Sequence, residues 1–338
     1  MDVSPWLYVG FIGFVVAMLL VDLKLFHTEV HTPTTRESGT WVAIWVSLAI
    51  AFGIGLWVLQ GSRDAGEYFA GYLIEYSLSV DNMFVFVVIF AYFKVPLSHQ
   101  HQILFYGILG AMVFRGIFIA LGTALVQNFD WVIPVFGLFL LFTAFRIAKG
   151  SAEHVHPEDN PVLKFARKRF RTTTKFDGQK LFTIENGKRV ATPLFIVLLF
   201  IETTDIFFAI DSIPAIFAVT KEPFIVLTSN VFAILGLRAL YFLLAGGMDR
   251  LHLLKYGLAV ILGFVGVKML LVGTEIVGLT EHAIHVPIWL SLTVIVGVLT
   301  VTAVLSYKIP PRDQEQIEKR MGEMTGGDPD EDDHEDRP

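Results

Sequence analysis

The chain of 338 residues contains no cysteine, and only 17% of its residues are charged. The absence of cysteine excludes disulfides, iron–sulfur clusters, cysteine zinc sites and thiol redox chemistry. Soluble proteins carry about 25% charged residues, whereas 54% of this chain is hydrophobic. Residues 38–62 and 286–307 contain no Asp, Glu, Lys or Arg, and a bilayer-spanning helix needs roughly 20 apolar residues. This composition excludes an ordinary soluble enzyme, a disordered protein and a nucleic-acid-binding protein.

Nine apolar runs predict nine transmembrane helices, and the runs are continuous rather than alternating, which argues against a barrel. The predicted fold class is therefore all-α, a polytopic membrane helix bundle embedded in the lipid bilayer. We place the spans at residues 5–25, 40–60, 69–93, 101–126, 131–149, 193–219, 223–246, 255–274 and 286–307. The first span lacks a basic leader and a small-residue cleavage site, so we expect it to be retained.

The basic residues fall on one side of these spans. With the carboxy terminus cytoplasmic, 21 of the 26 Lys and Arg residues lie inside, and only Arg63 and Lys221 lie outside. The other three lie within spans. The positive-inside rule therefore predicts an outside amino terminus and a cytoplasmic carboxy terminus.

Spans three to five resemble spans six to eight. The matching positions are Glu75 with Asp205, Asp81 with Asp211, Asn82 with Ser212, and Arg115 with Arg238. A unit of three spans reverses the direction of the chain, so we expect two inverted three-helix repeats with a site near the midplane where they meet.

This duplication divides the chain into six parts. They are two amino-terminal transmembrane helices (1–68), the first repeat (69–149), a basic cytoplasmic loop (150–192), the second repeat (193–274), the last transmembrane helix (275–307) and an acidic disordered cytoplasmic tail (308–338).

Five carboxylates lie in the two spans that open the repeats: Glu75, Asp81, Glu202, Asp205 and Asp211. An acid at the centre of a membrane helix costs roughly 2.5–3.5 kcal/mol, so we expect these groups to face each other, water, a cation or the two arginines. Pro214 predicts a kink or break near 210–214 that exposes a carbonyl oxygen. The alternative is a structural network in which Arg115 and Arg238 hold the helices together.

The available donors are oxygens without histidine, which suits Mn²⁺, Mg²⁺ or Ca²⁺. Met83, next to Asn82, is a candidate soft ligand, although a methionine in an apolar span is more often a packing residue. We predict seven metal ligands: Glu75, Asp81, Asn82, Glu202, Asp205, Asp211 and Ser212. Arg115 and Arg238 are the predicted charge-balancing residues.

Three stretches resemble the TerC family of bacterial integral membrane proteins, named for tellurium resistance, and its Alx branch most closely. They are GYLIEYSLSVDNMFVF (71–86), ETTDIFFAIDSIPAIFAVTKEPFIVLTSNVFAILGLRALYFLLAG (202–246) and LKYGLAVILGFVGVKML (254–270). The resemblance implies a relation to LysE-type exporters, a place in the bacterial plasma membrane and export of Mn²⁺. It also implies that the seven predicted ligands form the two acidic motifs of the family.

The leading hypothesis is a secondary transporter, not an enzyme, which exports a divalent metal in exchange for protons and holds no permanent cofactor. One alternative is a non-transporting membrane scaffold for metal delivery or stress response. An intramembrane aspartyl protease is a third hypothesis, but the GxGD signature expected of presenilin-like proteases is missing. The sequence leaves a homo-oligomer open.

Overall fold

The computed structural model describes residues 4–26, 34–149, 170–185, 187–244, 253–276 and 286–309. The helices in these ranges are α1 (Pro5–Phe26), α2 (Thr35–Gln60), α3 (Ser62–Tyr92), α4 (Leu97–Asn128), α5 (Val132–Ala148), α6 (Pro193–Phe217), α7 (Pro223–Leu235), α8 (Leu237–Leu244), α9 (Leu254–Ile276) and α10 (Ile288–Lys308). The strands of one hairpin are β1 (Phe182–Glu185) and β2 (Lys188–Ala191).

The helices coincide with the predicted spans. Seven stretches are long and apolar enough to cross a membrane, with α7 and α8 forming one of them, and α1 and α5 are shorter apolar helices. The outer helices expose large apolar side chains, among them Val58 and Leu59 of α2 and Trp6 of α1. Exposed apolar surface of this extent fits a lipid environment. The all-α polytopic bundle is confirmed.

The helix directions are those that strict alternation across a membrane requires. Helices α4 and α6 run parallel, because Gly107 faces Ile201 and Gly122 faces Phe217. Helices α9 and α10 run antiparallel, since Leu253 donates to Ser306 at 3.1 Å and Lys268 donates to Ser291 at 3.2 Å near their other ends.

The contacts between the two predicted repeats come in matching pairs. The contact of α3 with α7 has its symmetry mate in the contact of α4 with α6. In addition, each helix of the first repeat packs on the equivalent helix of the second: α3 on α6, α4 on α7 and α5 on α9. A twofold pseudo-symmetry between inverted repeats produces this pattern. The division of the chain into six parts stays a prediction.

The break in the second repeat does not lie where Pro214 led us to expect it. Helix α6 is continuous from Pro193 to Phe217, because Pro214 lies in its last turn, where the missing amide removes only one helical hydrogen bond. The interruption lies instead at Gly236, between α7 and α8, directly before Leu237 and Arg238.

The described part of the long loop contains a hairpin that the sequence reasoning missed. Strands β1 and β2 pair antiparallel with Phe182 opposite Ala191, and the Phe182 ring packs on Phe195 of α6 at 4.6 Å. Asp177 accepts a hydrogen bond from Thr183 at 2.7 Å and another from Lys180 at 3.2 Å. These two bonds lower the pKa of Asp177. Residues 150–169, which hold most of the basic run, and the predicted tail from 310 onward lie outside the described residues.

Glycines allow α5 and α9 to pack backbone to backbone, which leads to the first prediction. A Cβ at Gly266 would lie 2.9 Å from the Gly137 carbonyl oxygen, whereas a Cβ at Gly263 would meet only Ala144, at 3.9 Å. We expect Gly266→Ala to destabilise the protein by about 1–3 kcal/mol, because overpacking forces the backbones apart. Thermal unfolding of the purified protein in detergent measures this, with Gly263→Ala as the matched control. Equal melting temperatures for the two variants would contradict the close approach.

Candidate ion-binding centre

Arg115 of α4 binds one acid from each predicted repeat. Its Nε donates to Asp205 Oδ2 at 3.2 Å and its Nη2 donates to Asp205 Oδ1 at 3.0 Å. Its Nη1 forms an ion pair with Glu75 Oε1. All three side chains are buried, with Arg115 at 1%, Glu75 at 0% and Asp205 at 4% exposure. A bidentate guanidinium–carboxylate pair has the geometry that makes a buried ion pair strong.

This centre lies midway along its helices. Glu75, Arg115 and Asp205 all fall near the middle of α3, α4 and α6, so helices of membrane-spanning length place them deep in the bilayer. Small residues permit the approach, because Gly107 and Gly110 are the positions of α4 that face Ile201 and Glu202 of α6. The centre is therefore a fixed product of helix packing at mid-membrane depth.

A small pocket adjoins the centre. Asp205 and Arg238 supply its charged groups, and apolar side chains that include Met83 and Phe86 supply the rest of its lining. The space inside, about 20 Å³, is enough for one water molecule or a bare ion. The guanidinium of Arg238 also lies 5.9 Å from the Phe105 ring, within the range of a cation–π contact.

The structure describes the surroundings of four of the five other predicted ligands. The Glu202 carboxylate packs against Gly110, where an added Cβ would collide with it. Asp211 accepts a hydrogen bond from Thr143 of α5 at 3.1 Å. Asn82 and Ser212 are buried, and the side chain of Asp81 lies outside what the structure describes. Among the described residues, no three His, Asp or Glu side chains are grouped as a metal site. The seven-residue ligand set stays a prediction.

Several buried polar residues were missed by the sequence reasoning. Thr143 binds Asp211, and Lys268 donates to Ser291 between α9 and α10. Asn230 of α7 is 1% exposed, and neither polar atom of its side chain has a hydrogen-bond partner in the described part of the chain. A polar residue inside an apolar span was the available signal in each case.

The fold and this centre define a multi-pass integral membrane protein with a charged core. Residues 60–314 match the description "Integral membrane protein TerC family". The match covers most of the chain, so the protein belongs to the TerC family.

Three relatives illustrate the similarity. The chain is 46% identical over 303 residues to "Uncharacterized membrane protein STKORF319" of Myxococcus xanthus, covering 90% of this chain and 92% of that protein. It is 43% identical over 322 residues to "Putative membrane-bound redox modulator Alx" of Escherichia coli K12, covering 93% and 98%. It is 49% identical over 238 residues to "Thylakoid membrane protein TERC, chloroplastic" of Arabidopsis thaliana, covering 70% and 62%. No solved structure matches the chain.

The centre predicts that Arg115 is needed for folding because two buried acids depend on it. Replacing Arg115 with Met leaves Glu75 and Asp205 without their counter-charge, and breaking a buried ion pair in this way costs about 3–5 kcal/mol. We expect Arg115→Met to lower the melting temperature and the yield of monodisperse protein in detergent. The triple variant Glu75→Gln, Arg115→Met, Asp205→Asn carries no charge at the centre, and we expect it to recover stability. A triple variant no more stable than the single one would contradict this account.

Proposed function

We propose that the protein is a secondary transporter that exports a divalent metal ion, Mn²⁺ in the first place, from the cytoplasm of a bacterium across its plasma membrane. The ion is cargo, and no permanent cofactor takes part. Mg²⁺ and Ca²⁺ are the alternative cargoes that an oxygen-rich site suits. The proposal includes exchange of the metal ion for protons, and the acids of the centre bind the ion and the protons in turn.

The observation that carries this proposal is the convergence of Glu75 and Asp205 on Arg115. One acid comes from each predicted repeat, and the three groups meet at mid-helix. Secondary transporters with inverted repeats bind their cargo at this depth, where the repeats meet. Ionisable groups inside a membrane usually serve ion or proton pathways, because apolar residues would pack there at lower cost.

Charge balance explains how such a centre remains stable without cargo. Glu75, Asp205 and Arg115 together carry a net charge of −1 when all are ionised, and Arg238 in the adjoining pocket brings the total to zero. A divalent cation that binds to both Glu75 and Asp205 must displace the Arg115 guanidinium, since Arg115 already occupies both carboxylate oxygens of Asp205. Arg115 thus acts as an internal competitor for the cargo.

The pocket lining favours a transition metal among the oxygen-binding cations. Met83 is fully buried and lines the pocket together with Asp205. A thioether is a soft ligand that Mg²⁺ and Ca²⁺ do not favour. A site of carboxylate oxygens with one sulfur at its edge therefore suits Mn²⁺ better than the two harder ions.

The proposed cycle has four steps. Mn²⁺ enters from the cytoplasm and replaces Arg115 between the two acids. The repeats then rock against each other and open the outer side. Protons bind the acids and weaken their hold on the ion, which leaves. The protons return to the cytoplasmic side as Arg115 pairs again with Glu75 and Asp205.

A membrane scaffold that delivers metal or responds to stress is the second candidate. It is suggested by the name "redox modulator" that some relatives carry. A thiol mechanism is excluded for this chain because it has no cysteine. Reconstituted vesicles separate the two candidates, since a scaffold gives no Mn²⁺ flux.

Export predicts that Asp205→Asn and Glu75→Gln abolish Mn²⁺ efflux. Each variant removes a charged ligand, so Mn²⁺ can no longer compete with Arg115. The measurement is Mn²⁺ content of bacterial cells after a manganese load, with and without expression, followed by Mn²⁺ flux in vesicles.

Glu67→Gln is the matched control for that experiment. Glu67 is also a buried acid of α3, but it pairs with Arg63 at 3.0 Å and lies about 12 Å along the helix from Glu75. We expect this control to export Mn²⁺ like the unaltered protein. Equal Mn²⁺ loss from cells that express the unaltered protein, Glu75→Gln or Asp205→Asn would overturn the proposal.

Export from the cytoplasm also requires the proposed orientation, which the absence of cysteine makes simple to measure. Gln179 and Lys221 are exposed, and the proposed topology places Gln179 in the cytoplasm and Lys221 outside. We expect a membrane-impermeant maleimide to label Lys221→Cys in intact cells with a permeable outer membrane. It should label Gln179→Cys only after lysis, and the reverse pattern would contradict the orientation.

A further inference from the structure

Asn230 is a buried polar side chain that the centre described above does not explain. It is 1% exposed, and both its amide nitrogen and its amide oxygen lack a hydrogen-bond partner in the described part of the chain. Burying such a group without a partner costs roughly 1–3 kcal/mol. Its neighbours Thr228 and Ser229 satisfy their hydroxyls within the same helix, by donating to Phe224 and Ile225.

The face of α7 that carries Asn230 points into the bundle. Val226 and Ile234 lie one turn before and after Asn230, so the three share a stripe on the helix. Val226 packs with Ile74 of α3 in one apolar cluster, and Ile234 packs with Met83 of α3 in another. The opposite side of α7 carries Phe232, which packs on Phe52 of α2.

Along the bundle, Asn230 lies within about one helical turn of Glu75. Helices α3 and α7 run parallel, since Gly71 faces Ser229 and the Phe90 ring packs on Tyr241 beyond it, in α8. Because Ser229 lies against Gly71, Asn230 is about level with the next residue of α3. Glu75 follows within about one helical turn, and Ser79 lies a further turn away.

Glu75 and Ser79 of α3 also have unused oxygens. Both residues are completely buried, and Glu75 Oε2 and Ser79 Oγ have no hydrogen-bond partner within the described residues. They lie one turn apart on the same face of α3. A carboxylate oxygen of Glu75 and the amide of Asn230 thus lie within about one helical turn of each other, without partners of their own among the described residues.

The duplication provides independent support. The alignment that pairs Arg115 with Arg238 also pairs Gly107 with Asn230. Gly107 lines the pocket beside Asp205, and Asp205 is the counterpart of Glu75. The pseudo-symmetry therefore predicts that Asn230 lies beside Glu75 in the way that Gly107 lies beside Asp205. At this position the second repeat has a side chain with an oxygen where the first repeat has a glycine.

We propose that Asn230 is a ligand of the transported cation, acting through its amide oxygen together with Glu75 Oε2. These are hard, oxygen-containing ligands of the kind that divalent cations bind. The amide replaces a water of the hydrated ion without adding a charge that a further arginine would have to balance. This inference rests on the proposed function, because it names a ligand of the same centre.

The test measures Mn²⁺ binding and stability on the same purified protein. Asn230→Leu removes the oxygen at nearly constant volume, and Thr228→Val is the matched control, since it removes a hydroxyl of the same helix that is already satisfied. We expect Asn230→Leu to weaken Mn²⁺ binding roughly 10- to 100-fold, the range typical for lost metal-site partners. Its melting temperature without metal should equal or exceed that of the unaltered protein, because an unpaired buried amide is gone. Asn230→Asp retains an oxygen ligand, so we expect it to bind Mn²⁺ more tightly than Asn230→Leu does.

Binding by isothermal titration in detergent gives outcomes that separate this inference from the transport proposal. If Asn230→Leu binds Mn²⁺ like the unaltered protein, or if Thr228→Val loses binding equally, the ligand role of Asn230 is wrong. A loss of binding together with a lower melting temperature also overturns it, since that is the signature of a structural role. If Mn²⁺ binds and depends on Asn230 but vesicles show no flux, the export proposal fails and the ligand role stands. Failure of the unaltered protein to bind Mn²⁺ overturns both.

Discussion

The burial of an arginine between two carboxylates is the constraint on which the remaining structure depends. Removing three ionised groups from water costs several kcal/mol for each group, and only close geometry with additional hydrogen bonds offsets this cost. Arg115 meets the condition with two donors to Asp205 and a third nitrogen toward Glu75. Helix α4 lies against α6 at this height, where the glycines at 107 and 110 permit the contact, and the long Arg115 side chain reaches from α4 to Glu75 of α3. The interaction joins the two halves of the chain at their charged centre.

The same interaction gives the proposed transporter a physical basis for coupling. A centre that carries its own cation does not offer two unpaired acids to any passing ion, so cargo must bring enough binding energy to displace a guanidinium. Protonation of the acids has the opposite effect, because a neutral carboxyl holds neither Mn²⁺ nor Arg115 strongly. The neutral oxygen of Asn230 completes this picture, since it improves ion binding without altering the competition between charges.

Hydropathy predicted the spans well because it is a local property: twenty apolar residues have few alternatives to a membrane helix. The matching of Glu75 with Asp205 was also visible, since duplicated chains keep their order. The sequence left open whether an arginine or a metal cation pairs with the two acids, because that choice depends on which helix faces lie in contact.

The interruption at Gly236 instead of near Pro214 could not be predicted either. A proline in the last turn of a helix loses only one hydrogen bond, whereas the effect of a glycine depends on the packing around it. Asn230 went unnoticed because attention to charge ignores neutral polar residues, although burial makes them costly as well.

The two arginines show why a duplicated sequence does not produce a symmetric centre. The alignment makes Arg115 and Arg238 equivalent, yet only one guanidinium fits between Glu75 and Asp205. Arg115 occupies that position, while Arg238 lines the pocket and lies over Phe105. Two cations side by side between the same acids would repel each other in a low-dielectric region, where charges interact far more strongly than in water. Any single conformation of such a centre must therefore place the equivalent arginines differently, with Arg115 between the two acids and Arg238 in the lining of the pocket beside Asp205.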